Sequence, residues 1–268
     1  MIKSIKTIMQ QDREPYRIPR RVQDVIPIQC VWPDGIFKVG IKFSKTYRFT
    51  DINYKVASRE DKETMFLAYS ELLNSLDSAA TTKLTICNRR QSQADFEQSV
   101  LMSMRGDGLD KYRKEYNQML IDKATGANGI IQEKLVTVTV YKRDIEDARA
   151  YFTRIGADLT ARFAALGSKC VELDAADRLR ILHDFYRAGD EGSFHLCLAD
   201  MARKGHDFRD YICPDGIEKH SDYLKLGDRY CRVLFLKDYA NYIQDEIVAN
   251  LTDLNLSLIH ISEPTRHA

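Results

Sequence analysis

The residues closest to a phosphate-binding arrangement are Gly106-Asp107-Gly108, followed by Lys111. A glycine turn that leads into a helix can leave backbone N–H groups open to an anion. The spacing stops short of a nucleotide site. A dinucleotide fingerprint needs a third glycine. A P-loop needs G-x-x-x-x-G-K-[ST], so that a lysine reaches the β/γ-phosphates and a hydroxyl binds Mg²⁺. No glycine here is followed by Lys and then Ser or Thr. The chain is therefore not expected to hydrolyse ATP, and Gly106–Gly108 reads as a turn feeding an Asp helix cap.

His183, His195, Cys197, His206 and Cys213 are the residues whose types could suggest a metal site. They lack H-E-x-x-H or paired C-x-x-C spacing, so packing and surface roles are expected, with no metal. No G-x-S-x-G elbow occurs, and no catalytic residue is assigned. A third group is basic. Lys3, Lys6, Arg13, Arg17, Arg20 and Arg21 oppose only Asp12 and Glu14 in the first 21 residues. Pro15 and Pro19 break any continuous helix there. This flexible arm reads either as a solvated tail or as a docking element for an anionic surface.

The rest of the composition is that of an ordinary globular chain. It has 268 residues, 44% hydrophobic and 29% charged, with a net charge of +1. Near-neutrality gives no global electrostatic case for nucleic acid. No apolar run has membrane-spanning length, and no secretory signal core follows Lys3 and Lys6. Six scattered cysteines fit a reducing compartment.

Alternation predicts strands over Pro27–Trp32, Ile36–Gly40, Phe43–Phe49, Thr82–Cys87, Lys134–Tyr141, Lys169–Leu173, Tyr223–Leu226 and Tyr230–Leu236. Val233–Leu236 is apolar throughout and reads as a central strand containing a buried Phe235. Helices are predicted from the Ser58 cap with Met65, Tyr69, Leu72, Leu73 and Leu76 on one face. Others cover Ala94–Met102, Leu109–Lys123, Ser193–Lys204 and Asn241–Leu254. The longest starts at Asp144, carries Ala148, Phe152, Ile155, Leu159 and Phe163, and ends at Gly167; another starts at Asp174 with Leu179, Leu182 and Phe185. Tyr69, Phe152, Phe163 and Phe185 read as core. The pattern is α+β: a mostly antiparallel mixed sheet with several long helices packed on it. Gly126-Ala127-Asn128-Gly129 allows a subdomain break near 124–131.

Several segments, taken together, resemble one family. They are Pro33-Asp34-Gly35-Ile36-Phe37, Phe49-Thr50-Asp51-Ile52-Asn53-Tyr54, Ser58-Arg59-Glu60-Asp61-Lys62-Glu63 and Tyr69-Ser70-Glu71-Leu72-Leu73-Asn74-Ser75-Leu76-Asp77. Gly106-Asp107-Gly108-Leu109-Asp110, Asp122-Lys123-Ala124-Thr125-Gly126-Ala127-Asn128-Gly129 and Gly227-Asp228-Arg229-Tyr230 complete the set. The chain resembles the N-terminal region of the conjugal-transfer ATPases of type IV secretion systems, the VirB-four kind, also called TraE/TrbE/CagE-like.

The resemblance implies a docking domain over residues 22–255, after the arm at 1–21 and ahead of a missing motor domain. Only that motor domain would bind ATP and Mg²⁺. It implies inner-membrane secretion subunits and other copies of the ATPase as partners, at the cytoplasmic face of the membrane. A nucleic-acid-handling module of the same machinery is the alternative. Residues 256–268 resemble a translated sequencing adapter and are expected to be foreign to the protein.

Overall fold

The computed structural model describes residues 19–52, 57–90, 101–126, 130–196, 201, 205, 207–235 and 238. The arm up to Arg17, most of the helix expected at Ala94–Met102, the loop at 127–129, the helix expected at Asn241–Leu254 and the tail at 256–268 lie outside these residues.

The fold is α+β, with mostly antiparallel sheets. A turn at Pro33-Asp34-Gly35 joins β1 (Cys30–Val31) to β2 (Phe37–Val39), which turns into β3 (Lys42–Phe49). Helix α1 (Arg59–Asn74), β4 (Thr81–Arg90), α2 (Asp110–Gly126) and β5 (Ile130–Tyr141) follow. Next come α3 (Ile145–Ala165), β6 (Cys170–Glu172), α4 (Ala175–Tyr186) and the short α5 (Arg209–Ile212). The main sheet has the order β1-β2-β3-β5-β4, with β6 beside the end of β3. Strand β5 pairs with β3 on one side and β4 on the other, so the sheet continues across the glycine-rich segment. Strands β7 (Ile217–Lys219), β8 (Leu224–Leu226) and β9 (Arg229–Cys231) form a separate small sheet. Among the described residues no helix is long and apolar enough to cross a membrane.

Alternation along β3 and β5 gives the main sheet its first face. Phe43 and Tyr47 lie opposite Val140 and Val136. Their side chains meet Phe152, Ile155, Leu159 and Phe163 of α3 in one buried cluster. The α3 cap is Asp144, whose side chain accepts from Asp147 N at 2.9 Å. Gly156 lets α3 lie close on the sheet: a Cβ there would stand 2.2 Å from Glu172 Oε1. Glu172 in turn pairs with Lys45, which is itself buried.

The opposite face carries a second cluster. Phe37 packs there with Ile26, Ile28, Leu179 of α4 and Ile212 of α5. The β2–β3 end of the sheet is thus covered on both sides. That is why Thr46 is buried although it alternates with Tyr47.

One residue spans these layers. Arg178 of α4 donates to the carbonyls of Gly35 and Ser44, each at 2.7 Å, and to Ser44 Oγ at 3.1 Å. Its guanidinium sits 3.8 Å from the centroid of Phe37. Burial lowers its proton affinity to about 9, which leaves it charged at neutral pH. Gly35 must be glycine: its φ is +78°, and a Cβ would fall 2.0 Å from the Leu173 carbonyl oxygen.

Three expectations are corrected. Val233–Phe235 form no strand and are 69%, 84% and 82% exposed, because β9 ends at Cys231. An unbroken apolar run says nothing about whether a partner strand lies beside it. The helix expected over Ser193–Lys204 does not begin at Ser193: Glu191–Ser193 make one 3₁₀ turn, and Phe194 and Leu196 leave it to pack on the second cluster, while Met201 within that span is helical. Residues 197–200 and 202–204 of that call lie outside the described ones. Phe185 points outward, since Arg178, Leu179 and His183 take the buried face of α4.

Two stability outcomes follow. Phe43→Ala should cost about 3–5 kcal/mol, whereas Phe235→Ala should stay within about 0.5 kcal/mol of the parent; urea midpoints compare them. Arg178→Ala should lose more than an exposed arginine does, because two buried carbonyls are stripped of donors at about 1–3 kcal/mol apiece. Arg178→Lys should recover little of this, lacking the planar fork.

Candidate functional site

The Gly106 loop is closed by its own carboxylates. Arg105 N and Gly106 N donate to Asp110 at 3.1 and 2.8 Å, and Leu109 N donates to Asp107 at 3.0 Å. The Arg113 guanidinium bridges Asp107 and Asp110. Asn117 then ties the preceding strand of chain by donating to Met102 O and accepting from Met102 N, both at 2.9 Å. The amides that would have held an anion therefore face protein carboxylates. Arg113 holds the Asp107 carboxyl below its ordinary range, and the Arg105 amide, then Arg113, does the same for Asp110.

His183 is buried, with Nδ1 3.3 Å from Asp184 Oδ1 and Nε2 3.4 Å from Ser193 Oγ. An Asp–His–Ser succession has the order of a nucleophilic relay. Here Ser193 donates its hydroxyl to the Asp190 carbonyl at 2.9 Å, and the His183 ring packs on Phe194 at 5.1 Å. The histidine pins the turn after α4 to the second cluster. His195 is exposed, Cys213 is buried, and Cys197 and His206 lie outside the described residues. Among the described residues no group of three or more His, Cys, Asp or Glu is placed to hold a metal.

Of the basic arm, Arg20 and Arg21 are described and both are exposed. Arg21 N donates to Asp24 Oδ2 at 3.1 Å and so starts a 3₁₀ turn at Val22–Val25. Gln23 anchors that turn to Asp210 at 2.9 Å. The arm thus enters the fold beside α5. Lys3, Lys6, Arg13 and Arg17 lie outside the described residues.

One concave feature among the described residues is not revealed by residue spacing. A cleft of about 380 Å³ opens between α1, the end of α3 and the end of β3. Ser58 caps α1 by accepting from Asp61 N at 3.1 Å. Leu72, about four turns further along, is buried and seats the helix on the first cluster. Toward its N-terminal half, Met65, Phe66 and Tyr69 line the cleft instead of filling it. Its floor is Phe49 stacked on Phe163, with centroids 4.9 Å apart. Thr50 and Ser168 form a polar rim: Thr50 N donates to Lys169 O at 3.0 Å, and Lys169 N to Thr50 Oγ1 at 2.9 Å. Asp51, also on the rim, pairs with Lys134. The described lining is mostly apolar, which suits it to an apolar group. The clue in the sequence was α1's excess of apolar residues: Phe66 widens the apolar face and Leu67 lies off it, more than a single buried stripe requires.

A second surface feature lies on the small sheet. His220 stacks on Tyr223 at 4.4 Å, and Tyr223 meets Tyr230 edge-on at 5.4 Å. Glu218 pairs with Lys225 at 3.3 Å and His220 at 3.5 Å, and Lys225 holds the Glu218 carboxyl low. Both charge signs are present.

No protein-family model and no curated protein matches this chain.

The loop clamp has a pH signature. A carboxyl with a depressed folded pKa contributes stability above its unfolded pKa of about 3.9, and loses it as pH falls through the folded value. The Arg105 and Gly106 amide resonances should therefore stay constant from neutral pH down to the ordinary Asp range and titrate only below it. Asp110→Asn should move both at pH 7.

Proposed function

We propose that the chain is the non-catalytic docking portion of a conjugative DNA-transfer motor, the N-terminal region of a type IV secretion ATPase, with the ATP-hydrolysing domain missing. In this reading it works in the cytoplasm at the inner face of the cell membrane. It contacts inner-membrane secretion subunits and other copies of the ATPase, and the basic arm faces the anionic surface. It needs no cofactor itself; ATP and Mg²⁺ belong to the missing domain.

The observation that carries the reading is where the resembling segments sit. Pro33–Phe37 makes the turn that receives Arg178 and, through Asp34, Arg149 of α3 at 2.8 Å. Ser58–Glu63 caps α1, and Tyr69–Asp77 carries that helix into its terminal turn. Gly106–Asp110 forms the carboxylate clamp, and Gly227–Tyr230 turns β8 into β9. These segments supply turns, caps and contacts rather than a convergent set of reacting groups. The apolar cleft beside α1 supplies a surface suited to a partner's side chain.

A second reading, a nucleic-acid-handling module, draws on His220, Tyr223 and Tyr230, since stacked aromatics suit single-stranded bases. The Glu218–Lys225 pairing beside them weakens it, because a strand groove needs a positive stripe.

Sequencing independently prepared genomic DNA past Asn255 should reveal an open frame leading into a P-loop domain. A genuine stop codon after Ala268 overturns this reading. In pull-downs, the chain should retain the membrane subunits encoded at its own locus, and Phe66→Glu should reduce that retention several-fold. Salt-sensitive binding of single-stranded DNA with no retention of those subunits would favour the second reading.

A further inference from the structure

At one end of the main sheet, β2 and β3 are joined by a two-residue turn. Val39 pairs with Lys42, which leaves Gly40-Ile41 as the tip. Gly40 has φ +59°, a left-handed conformation that suits glycine in such a turn. Ile41 follows it and is 66% exposed. An aliphatic side chain held out in water gains free energy by leaving it. The tip itself is fixed, since β3 is paired with β2 on one side and β5 on the other.

Cations surround this tip. Lys38 and Lys42 flank it on its own two strands. Lys42 also faces Tyr141, the last residue of β5, and Lys142 and Arg143 continue the chain from there. Among the described residues the three ammoniums sit on aromatic rings. Lys38 Nζ lies 5.5 Å from the Phe43 centroid, Lys42 Nζ 5.4 Å from that of Tyr141 and Lys142 Nζ 4.6 Å from that of Tyr151. Rings steady the alkyl stems and leave the charge un-neutralised. The carboxylates that follow in sequence serve the start of α3: Asp144 accepts from Asp147 N, and Glu146 pairs with Arg149 at 2.9 Å.

We propose that this tip docks on an anionic phospholipid surface. Ile41 enters the boundary between headgroups and acyl chains, and Lys38, Lys42, Lys142 and Arg143 face the lipid charge. Attachment to a bilayer strengthens when buried apolar area and basic charge act together, and the tip supplies both. The sheet already holds the turn, so docking sacrifices little conformational freedom. A nucleic-acid strand fits less well, because an aliphatic residue at the centre of the patch offers no ring on which a base can stack. The inference goes beyond the motor reading, and holds equally for a chain that stops at Ala268.

The full chain should co-sediment with vesicles of phosphatidylcholine carrying about a third phosphatidylserine, and not with phosphatidylcholine alone. Ile41→Asp should lower the partition by about tenfold or more. Lys42→Glu with Lys142→Glu should lower it by a similar factor and flatten its dependence on NaCl. Circular dichroism should match the parent's in each case. Ile41→Trp should be quenched by brominated lipid tails, whereas the parent's single Trp32, packed against the first cluster, should not. Binding that survives Ile41→Asp, equal binding to phosphatidylcholine alone, or an unquenched Ile41→Trp variant overturns the proposal. So does binding that is lost when Lys3, Lys6, Arg13 and Arg17 are together changed to Gln yet kept in Ile41→Asp, which would assign it to the basic arm. Capture of single-stranded DNA without vesicle binding overturns it as well.

Discussion

The arrangement of layers depends on one buried cation. Arg178 enters from α4, crosses toward the sheet, and ends on the carbonyls of Gly35 and Ser44. A guanidinium without a carboxylate at that depth is tolerated only if its donors are used and its face is covered. Two carbonyls, a hydroxyl and the Phe37 ring do this. The constraint is geometric as well as energetic. Gly35 is in the left-handed region and touches Leu173, so the turn, the start of α4 and the β2–β3 pair can meet in only one way.

That convergence explains why the sheet is unevenly covered. At its β2–β3 end, α3 closes one face and α4 with α5 the other, and the two clusters press against opposite sides of the same strands. At the β4 end the cover thins. Leu84, Ile86 and one side of α1 remain exposed although they share the face of the first cluster.

The polar groups tell a consistent story. Asp110, Asp107 and Arg113 satisfy a loop's amides and each other. Lys45 and Glu172 hold β6 against β3, and Gly156 gives them room beneath α3. Burial pushes the Cys170 thiol up to about 11, with Glu172 adding to the shift, so it stays protonated and unreactive at neutral pH. Burial likewise raises the Tyr47 hydroxyl, which donates to Phe152 O at 3.3 Å. In these groups the ionisable chemistry is spent on fastening elements together.

Local chemistry was legible in the sequence wherever a signal is short-range. The Ser58, Asp144 and Asp174 caps, the α3 stripe, the alternation of Val136, Val138 and Val140, and the reading of Gly106–Gly108 as a capped turn all appear in the structure. These depend on neighbours within a few residues, which a linear pattern contains. What covers an apolar face depends on residues far apart, and that only the tertiary structure decided. Val233–Phe235 read as core but find no partner strand; Phe185 yields its place to Arg178 and His183; Phe66 and Tyr69 line a cleft instead of filling it. Arg178 is the sharpest case. In sequence it is one more charge on an amphipathic helix, and only the meeting of Gly35, Ser44 and Phe37 makes burying it cheaper than leaving it in water.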